Sequence, residues 1–319
     1  MKRIGIMTSG GDAPGMNAAI RAAVRYGIYL GMEVFGIERG YTGLINDTIQ
    51  PLNMRSVSDI IQRGGTILKT ARCPEFKEKA GQDKAIEVIK KRGLEGIIVI
   101  GGDGSFMGAK ILSERGIPTI GIPGTIDNDL PYTDFTLGFD TACNTALDAI
   151  NKLRDTMTSH ERISIVEVMG RHCGDIALYA GIAGGAEMIL VPEKPFTIES
   201  ICENLIHNYD SGKKSGIIVL AEGAGHAEVL AKELSERTNF VVKATVLGHI
   251  QRGGAPSMVD RILGTRCGVH AVELLNKGIG NRVVGIRNNK IIDMDIIEAV
   301  SMKRNFDEEL YKIAQIVSL

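Results

Sequence analysis

Gly96-Ile97-Ile98-Val99-Ile100-Gly101-Gly102-Asp103-Gly104-Ser105 sets the architecture of this 319-residue chain. Four β-branched apolar residues stand in a row, with no polar alternation. Such a strand is buried on both faces, as in a parallel sheet covered by helices. Two glycines then stop it, and a helical pattern begins at Phe106. A strand that breaks through glycine into a helix is half of a βα unit.

The same pattern repeats in both directions. Strands are expected at 3–8, 33–37, 119–122, 162–168, 188–191, 216–221, 241–247 and 283–286, besides 96–100. Asp83 is read as the cap of a helix that ends near Gly93. Residues 140–160 form the longest helix, with Ala142, Ala146, Ala149, Leu153 and Met157 as its core-facing stripe. Further helices are expected at 198–209, 227–237, 257–276 and 307–317. The alternation predicts doubly wound α/β architecture, with ligands at the carboxyl ends of the strands.

Bulk properties narrow the function. Lys+Arg 37 against Asp+Glu 38 leaves a formal net charge of −1, which disfavours nonspecific nucleic-acid binding. Apolar runs fall short of the ~18 residues a membrane span needs. Cys73, Cys143, Cys173, Cys202 and Cys267 are odd in number and without a CxxC pair, as in reduced cytoplasmic proteins. The run from Met1 to Ile6 enters a strand directly, without a signal-peptide pattern, so the expected location is cytoplasmic.

Three strands end in polar glycine turns. Thr8-Ser9-Gly10-Gly11-Asp12-Ala13-Pro14-Gly15-Met16-Asn17 opens a helix whose free N–H groups suit a phosphate. It is not a P-loop, because Met16-Asn17 stands where Lys-Ser/Thr is required. Gly101–Ser105 offers a close backbone approach to a polyphosphate. Asp103 beside those phosphates calls for a bridging Mg²⁺; otherwise it caps the next helix. The third turn, Gly124-Thr125-Ile126-Asp127-Asn128-Asp129, clusters carboxylates at a strand end. They suit a general base for phosphoryl transfer to a hydroxyl, or a plain Asx-turn.

Together with Met169-Gly170-Arg171 and Gly248-His249-Ile250-Gln251-Arg252-Gly253-Gly254, these turns resemble the motifs of the bacterial 6-phosphofructokinase family, in its order and spacing. The resemblance implies two mostly parallel αβα domains, 1–138 plus 251–301 for ATP and 139–250 plus 302–319 for fructose 6-phosphate. It places the active site in the cleft between them. It implies transfer from ATP to the sugar 1-hydroxyl, with Mg²⁺ held by Asp103. Asp127 becomes the base. Arg171 and Thr125, with Gly11 and Arg72, act on the transferring phosphoryl group. Tyr41, Cys73, Gly102, Gly104, Ser105 and Gly108 join the ATP site. Ile126, Asp129, Arg162, Met169, Gly170, Glu222, Lys243, His249, Ile250, Gln251 and Arg252 join the sugar-phosphate site, Arg162 arriving from a neighbouring subunit.

The family also implies a homotetramer, with an effector site for ADP and phosphoenolpyruvate. Its matching positions are Arg21, Arg25, Asp59, Arg154, Gly185, Ala186, Glu187, Ser211, Lys213, Lys214 and Ser215. Arg21 and Arg25 stand four apart, hence on one helix face. Two departures matter: Lys243 replaces an arginine and Ser211 a lysine.

Other readings compete. A pyrophosphate-dependent relative carries Asp at 104 and Lys at 124, where this chain has glycine. Lipid and NAD kinases share the GGDG turn but lack TIDND and HIQRGG. A dinucleotide-binding oxidoreductase would require G-x-G-x-x-G, which the first turn does not spell. A nucleotide sensor leaves Asp127 without a task.

Overall fold

The computed structural model describes residues 1–318. From the N-terminus run β1 (Arg3–Thr8), α1 (Met16–Tyr29), β2 (Glu33–Ile37), α2 (Tyr41–Ile45), β3 (Ile49–Leu52), α3 (Lys79–Arg92), β4 (Gly96–Gly101), α4 (Asp103–Glu114), β5 (Thr119–Thr125) and β6 (Leu137–Gly138). Next come α5 (Phe139–His160), β7 (Ile163–Val168), α6 (Asp175–Ala183), β8 (Met188–Leu190), α7 (Ile198–Asp210), β9 (Gly216–Ala221), α8 (Ala227–Thr238) and β10 (Val242–Val246). The chain closes with α9 (Met258–Asn276), β11 (Arg282–Arg287), β12 (Lys290–Asp295), α10 (Ile296–Ser301) and α11 (Glu308–Val317).

These elements form two units. The first holds Met1–Ile126, Leu130–Thr141 and Arg252–Arg304; the second holds Asp127–Asp129, Ala142–Gln251 and Asn305–Leu319. The first unit's sheet runs β12-β11-β5-β4-β1-β2-β3, with β6 beside β5. Its pairings are parallel except at the two edges, β2–β3 and β11–β12. In β4, Ile97 and Val99 face a core built with α2, α3, α4 and α10. Ile98 and Ile100 point the other way and are equally buried. Both faces are therefore dry, which is why the strand shows no alternation.

Helices α1 and α9 pack together with almost no side chain between them. A Cβ at Gly264 would lie 2.8 Å from the carbonyl oxygen of Gly15, and one at Gly268 would lie 2.6 Å from that of Ala19. The start of α9 is also tied to α5. The Asp260 carboxylate accepts from Gly138 N at 2.8 Å, from Thr141 N at 2.9 Å and from the Thr141 hydroxyl at 2.5 Å. Thr141 Oγ1 accepts in turn from Ser257 N at 2.9 Å.

Asp260 is 1% exposed. Burial raises its carboxyl above the usual range, against the opposing pull of those hydrogen bonds. Asp260→Ala strands several buried donors and should destabilise the protein by about 2–4 kcal/mol. A group whose folded pKa is raised contributes most below its unfolded value, about 3.9 for Asp. That share is lost as pH rises through the folded value. The gap between wild type and variant in urea unfolding should therefore narrow from about pH 4 towards neutrality. A gap that is small or widens with pH contradicts this.

The second unit has a four-stranded parallel sheet, β10-β7-β9-β8. Ile165 and Ile218 face a core closed by α7 and α8. Thr197 caps α7 with a reciprocal bond to Ser200. Among the described residues, no helix is long and apolar enough to cross a membrane.

Several expectations need correction. Helix α3 starts at Lys79 with Glu78 as cap, one turn before Asp83; the Asp83 carboxylate binds Arg115 instead. In α5 the buried face carries Ile150 with Ala142, Ala146 and Met157, while Ala149 and Leu153 are only half-buried. Strand β10 is not buried on both faces, because it lies at a sheet edge. Strands β3, β6 and β12 were not expected. The first two are very short, and β12 (Lys-Ile-Ile-Asp-Met-Asp) is an edge strand of mixed polarity.

Candidate active site

In the first unit, parallel pairing aligns the ends of β1, β4 and β5. Thr8 stands opposite Ile100, and Gly101 opposite Pro123. The starts of their three turns therefore lie side by side at the carboxyl end of the sheet. Gly10 (φ 85°) and Gly15 (φ 99°) take left-handed conformations, and Gly15 caps α1. The Thr70 hydroxyl donates to Gly10 O at 2.6 Å, which fixes this turn from behind. A Cβ on Gly101 would come within 2.5 Å of Ser105 Oγ and of Ser9 O, so the first two turns touch.

Gly102 occupies the cap position of α4, and Asp103 is its first helical residue. Asp103 is exposed and does not act as the cap, which removes the bland alternative for it. Gly104 is open: a Cβ there meets nothing within 4 Å. Gly124 is the opposite. Its Cβ would lie 2.9 Å from Met16 Cε and 3.0 Å from Ile100 Cγ2.

Tyr41 is buried behind this wall. Its hydroxyl donates to Ser105 O at 2.6 Å, and its ring stacks on Phe76 with centroids 4.3 Å apart. Gly108 makes room for that ring. Arg72 is exposed and Cys73 half-buried just before the turn at Pro74. Arg252, in the same unit, lies against Gly11: a Cβ on Gly11 would sit 2.6 Å from its Nη1. The Arg252 Nε is buried with no hydrogen-bond partner among the described residues. A buried guanidinium donor left unspent is costly unless an anion completes it.

In the second unit, β10, β7 and β9 are neighbours and deliver three more turns. After β7, Gly170 (φ 135°) and Arg171 (φ 53°) turn the chain back. Arg171 N donates to Glu222 Oε1 at 2.8 Å, after β9. Arg171 Nε lies 3.5 Å from Asp127 Oδ2. Asp127 is 3% exposed. A buried carboxylate beside an exposed guanidinium combines a proton acceptor with an anion clamp.

After β10, Gln251 is fully buried. Its amide accepts from Met169 N at 3.3 Å and donates to Gly248 O at 3.1 Å. It thus holds the His249 turn and leaves His249 and Ile250 exposed. His249 is therefore not a core histidine. Ile126 is buried, Asp129 and Arg162 are half-buried, and Lys243 is exposed on β10.

The second unit also gathers Arg154, Gly185, Glu187 and Lys213. Glu187 Oε1 lies 3.1 Å from Arg154 Nη1 and 3.2 Å from Lys213 Nζ. Arg154 Nη2 also donates to Gly185 O at 2.5 Å. Lys213, Lys214 and Ser215 share a cavity of about 190 Å³ with Glu187. The Ser211 hydroxyl is spent on His207 O at 2.9 Å. Ala186 is buried beside them. Arg21 and Arg25 lie on α1, and Asp59 (φ 53°) lies in a turn of the same first unit. Arg25 Nε is buried with no hydrogen-bond partner among the described residues.

Sequence reasoning passed over Asn128 and Asp175. Asn128 adopts a left-handed φ of 54°, and its amide donates to Asp175 Oδ2 at 2.9 Å. The available signal was an aspartate in the first turn of a helix that follows the GRHCG turn.

A phosphofructokinase family profile matches residues 3–275. The ATP-dependent 6-phosphofructokinase of Clostridium novyi is 61% identical over 318 residues, covering all of both chains. That of Clostridium botulinum strain Hall is 60% identical with the same coverage. Among solved structures, phosphofructokinase from Saccharomyces cerevisiae matches with TM-score 0.88 at 34% identity, over 99% of this chain. This chain spans about half of it, 47%. A pyrophosphate-dependent phosphofructokinase from Marinobacter aquaeolei matches with TM-score 0.86 at 23% identity, over 97% of this chain and 86% of that one. At that identity the match shows the fold alone.

Proposed function

The chain belongs to the phosphofructokinase family, and on that premise we infer that it transfers the γ-phosphoryl group of ATP to the 1-hydroxyl of fructose 6-phosphate. The observation that carries the reading is the buried Asp127 carboxylate with Arg171 Nε at 3.5 Å. Asp127 takes the hydroxyl proton as the oxygen attacks. Arg171 leaves Asp127 for the transferring phosphoryl oxygens, where a guanidinium fork finds two acceptors. Thr125, Gly11 and Arg72 stabilise the same group, and the glycine turns of the first unit take the nucleotide phosphates.

The site needs a divalent metal, and Mg²⁺ fits. Among the described residues, no cluster of three or more acidic, His or Cys side chains stands ready for a metal. Mg²⁺ requires none, since it is held by one or two carboxylates and substrate phosphates. Asp103, exposed and uncapped, supplies the carboxylate. When bound there, Mg²⁺ would supply positive charge to offset that of the phosphates.

Arg252, Met169, Glu222 and His249 hold the sugar phosphate, with Asp129 and the partner-borne Arg162 and Lys243 of a homotetramer. Lys243 keeps a positive charge but not the bidentate fork. Lys243→Arg should lower KM for fructose 6-phosphate roughly three- to tenfold with kcat little changed. An unchanged or higher KM would count against this contact.

The Arg154–Glu187–Lys213 cluster and the α1 cations Arg21 and Arg25 serve ADP and phosphoenolpyruvate as effectors. The enzyme works in the cytoplasm, in keeping with five cysteines that are odd in number and include no CxxC pair. A coupled assay with fructose 6-phosphate and either ATP or pyrophosphate, with and without each effector, tests the donor and the regulation. Turnover with pyrophosphate alone would overturn the donor. Rates indifferent to ADP and phosphoenolpyruvate would overturn the regulation.

A further inference from the structure

We propose that Asp175 is a positioning residue: through Asn128 it holds the turn that carries the base Asp127. The inference rests on the functional reading above, and every residue in it lies in the second unit.

Asn128 stands between Asp127 and Asp129 with φ 54°. A non-glycine residue in that region is uncommon, and Asn tolerates it only at some cost. Something must hold it there. The Asn128 amide donates to Asp175 Oδ2 at 2.9 Å. Asp175 is 8% exposed and belongs to the first turn of α6. A carboxylate is favoured at that end of a helix by the unpaired N–H groups and the helix dipole. It is therefore a fixed acceptor rather than a wandering surface acid.

The segment bearing Asp175 is itself braced by two further carboxylates. Glu193 Oε1, after β8, accepts from Gly174 N at 2.9 Å. Glu222 Oε1, after β9, accepts from Arg171 N at 2.8 Å. A Cβ on Gly174 would meet Val191 at 2.5 Å, so this segment sits tight on the end of the sheet. One rigid turn thus presents both halves of the catalytic pair. It carries Arg171 directly, and it reaches Asp127 by way of Asp175 and Asn128. The distance between guanidinium and base is set by this loop and not by the flexible side chains alone. A misplacement of about 1 Å at such a site costs about 10²-fold in rate.

The test is a double-mutant cycle on the full-length enzyme, with steady-state kinetics and thermal melting. Asp175→Ala should lower kcat by about 10²-fold while KM for ATP and the melting temperature stay near wild type. Asp175→Asn keeps an acceptor oxygen for the Asn128 amide and should retain most of the turnover. Asn128→Gly keeps the left-handed backbone at no steric cost and removes only the amide; it should match Asp175→Ala. The double variant should be no worse than either single one, because both break the same link.

Wild-type kcat in Asp175→Ala overturns the proposal. So do additive losses in the double variant, or losses accompanied by a matching fall in melting temperature and a rise in KM for ATP, which describe a merely structural role. If Asp175→Ala does not fold, Asn128→Gly alone decides, and full turnover there is equally fatal. A wild-type enzyme inactive with fructose 6-phosphate and ATP would instead sink the functional reading.

Discussion

Asp127→Asn should cut kcat by about 10²–10⁴-fold and leave the binding of ATP and fructose 6-phosphate almost unchanged. Asparagine matches aspartate in shape, so the buried pocket around a side chain that is 3% exposed remains filled. What it lacks is a lone pair able to take up a proton near neutral pH. The ion pair with Arg171 loses its charge, and the guanidinium is released towards phosphate rather than withdrawn from it. Binding should therefore hold or tighten slightly. The residual rate should also lose its acid limb, since the ionising base is gone. Calorimetric titration beside the coupled assay separates the outcomes. Unchanged turnover refutes the base. Loss of binding in parallel with turnover assigns Asp127 to ligand placement instead.

Gly104→Asp should lower kcat/KM for ATP by about 10²–10³-fold, with KM for fructose 6-phosphate unmoved. The protein itself has room for the change, because a Cβ at 104 meets nothing within 4 Å. Any loss then belongs to the ligand. A carboxylate facing the α-phosphate of a nucleotide places like charges together, which costs several kcal/mol. Pyrophosphate has no such group and would escape the penalty. ATP efficiency preserved in Gly104→Asp would show that this position does not select the donor. Gly124 cannot serve for the same experiment. Its missing side chain is already required by Met16 and Ile100, so a substitution there reports packing before it reports donor choice.

The contrast between Gly104 and Gly124 shows where a sequence is legible and where it is not. In the sequence both glycines belong to stretches that read as polar turns, although Gly104 falls in α4 and Gly124 in β5. Only the third dimension reveals that one faces open space and the other a packed wall. The buried strands were plain because dry faces demand unbroken apolar runs, and β1, β2 and β9 fall at 3–8, 33–37 and 216–221 as expected. Strand β12 was not, because an edge strand wetted on one side borrows its polarity from loops. The proposed base Asp127 stood out because carboxylates clustered at a strand end are poor loop filler, Asp103 because it sits in a glycine turn suited to phosphates, and Arg171 only through its family motif. Asn128 and Asp175 were silent because their task is expressed in one hydrogen bond between residues 47 positions apart. Tyr41 reads as a site residue but spends its hydroxyl on Ser105 O, so its influence is exerted from behind.

The bare contact of α1 with α9 has a mechanical meaning. Between most helices a layer of side chains acts as a cushion, absorbing small shifts by changing rotamers. Gly264 and Gly268 remove that cushion, and backbone rests on backbone. Tyr26 on α1 adds a strut, its hydroxyl 3.3 Å from Glu273 of α9. Two helices joined this way have no side-chain layer to take up a shift of one against the other. The first bears Arg21 and Arg25; the second begins five residues beyond Arg252, at the Ser257 cap.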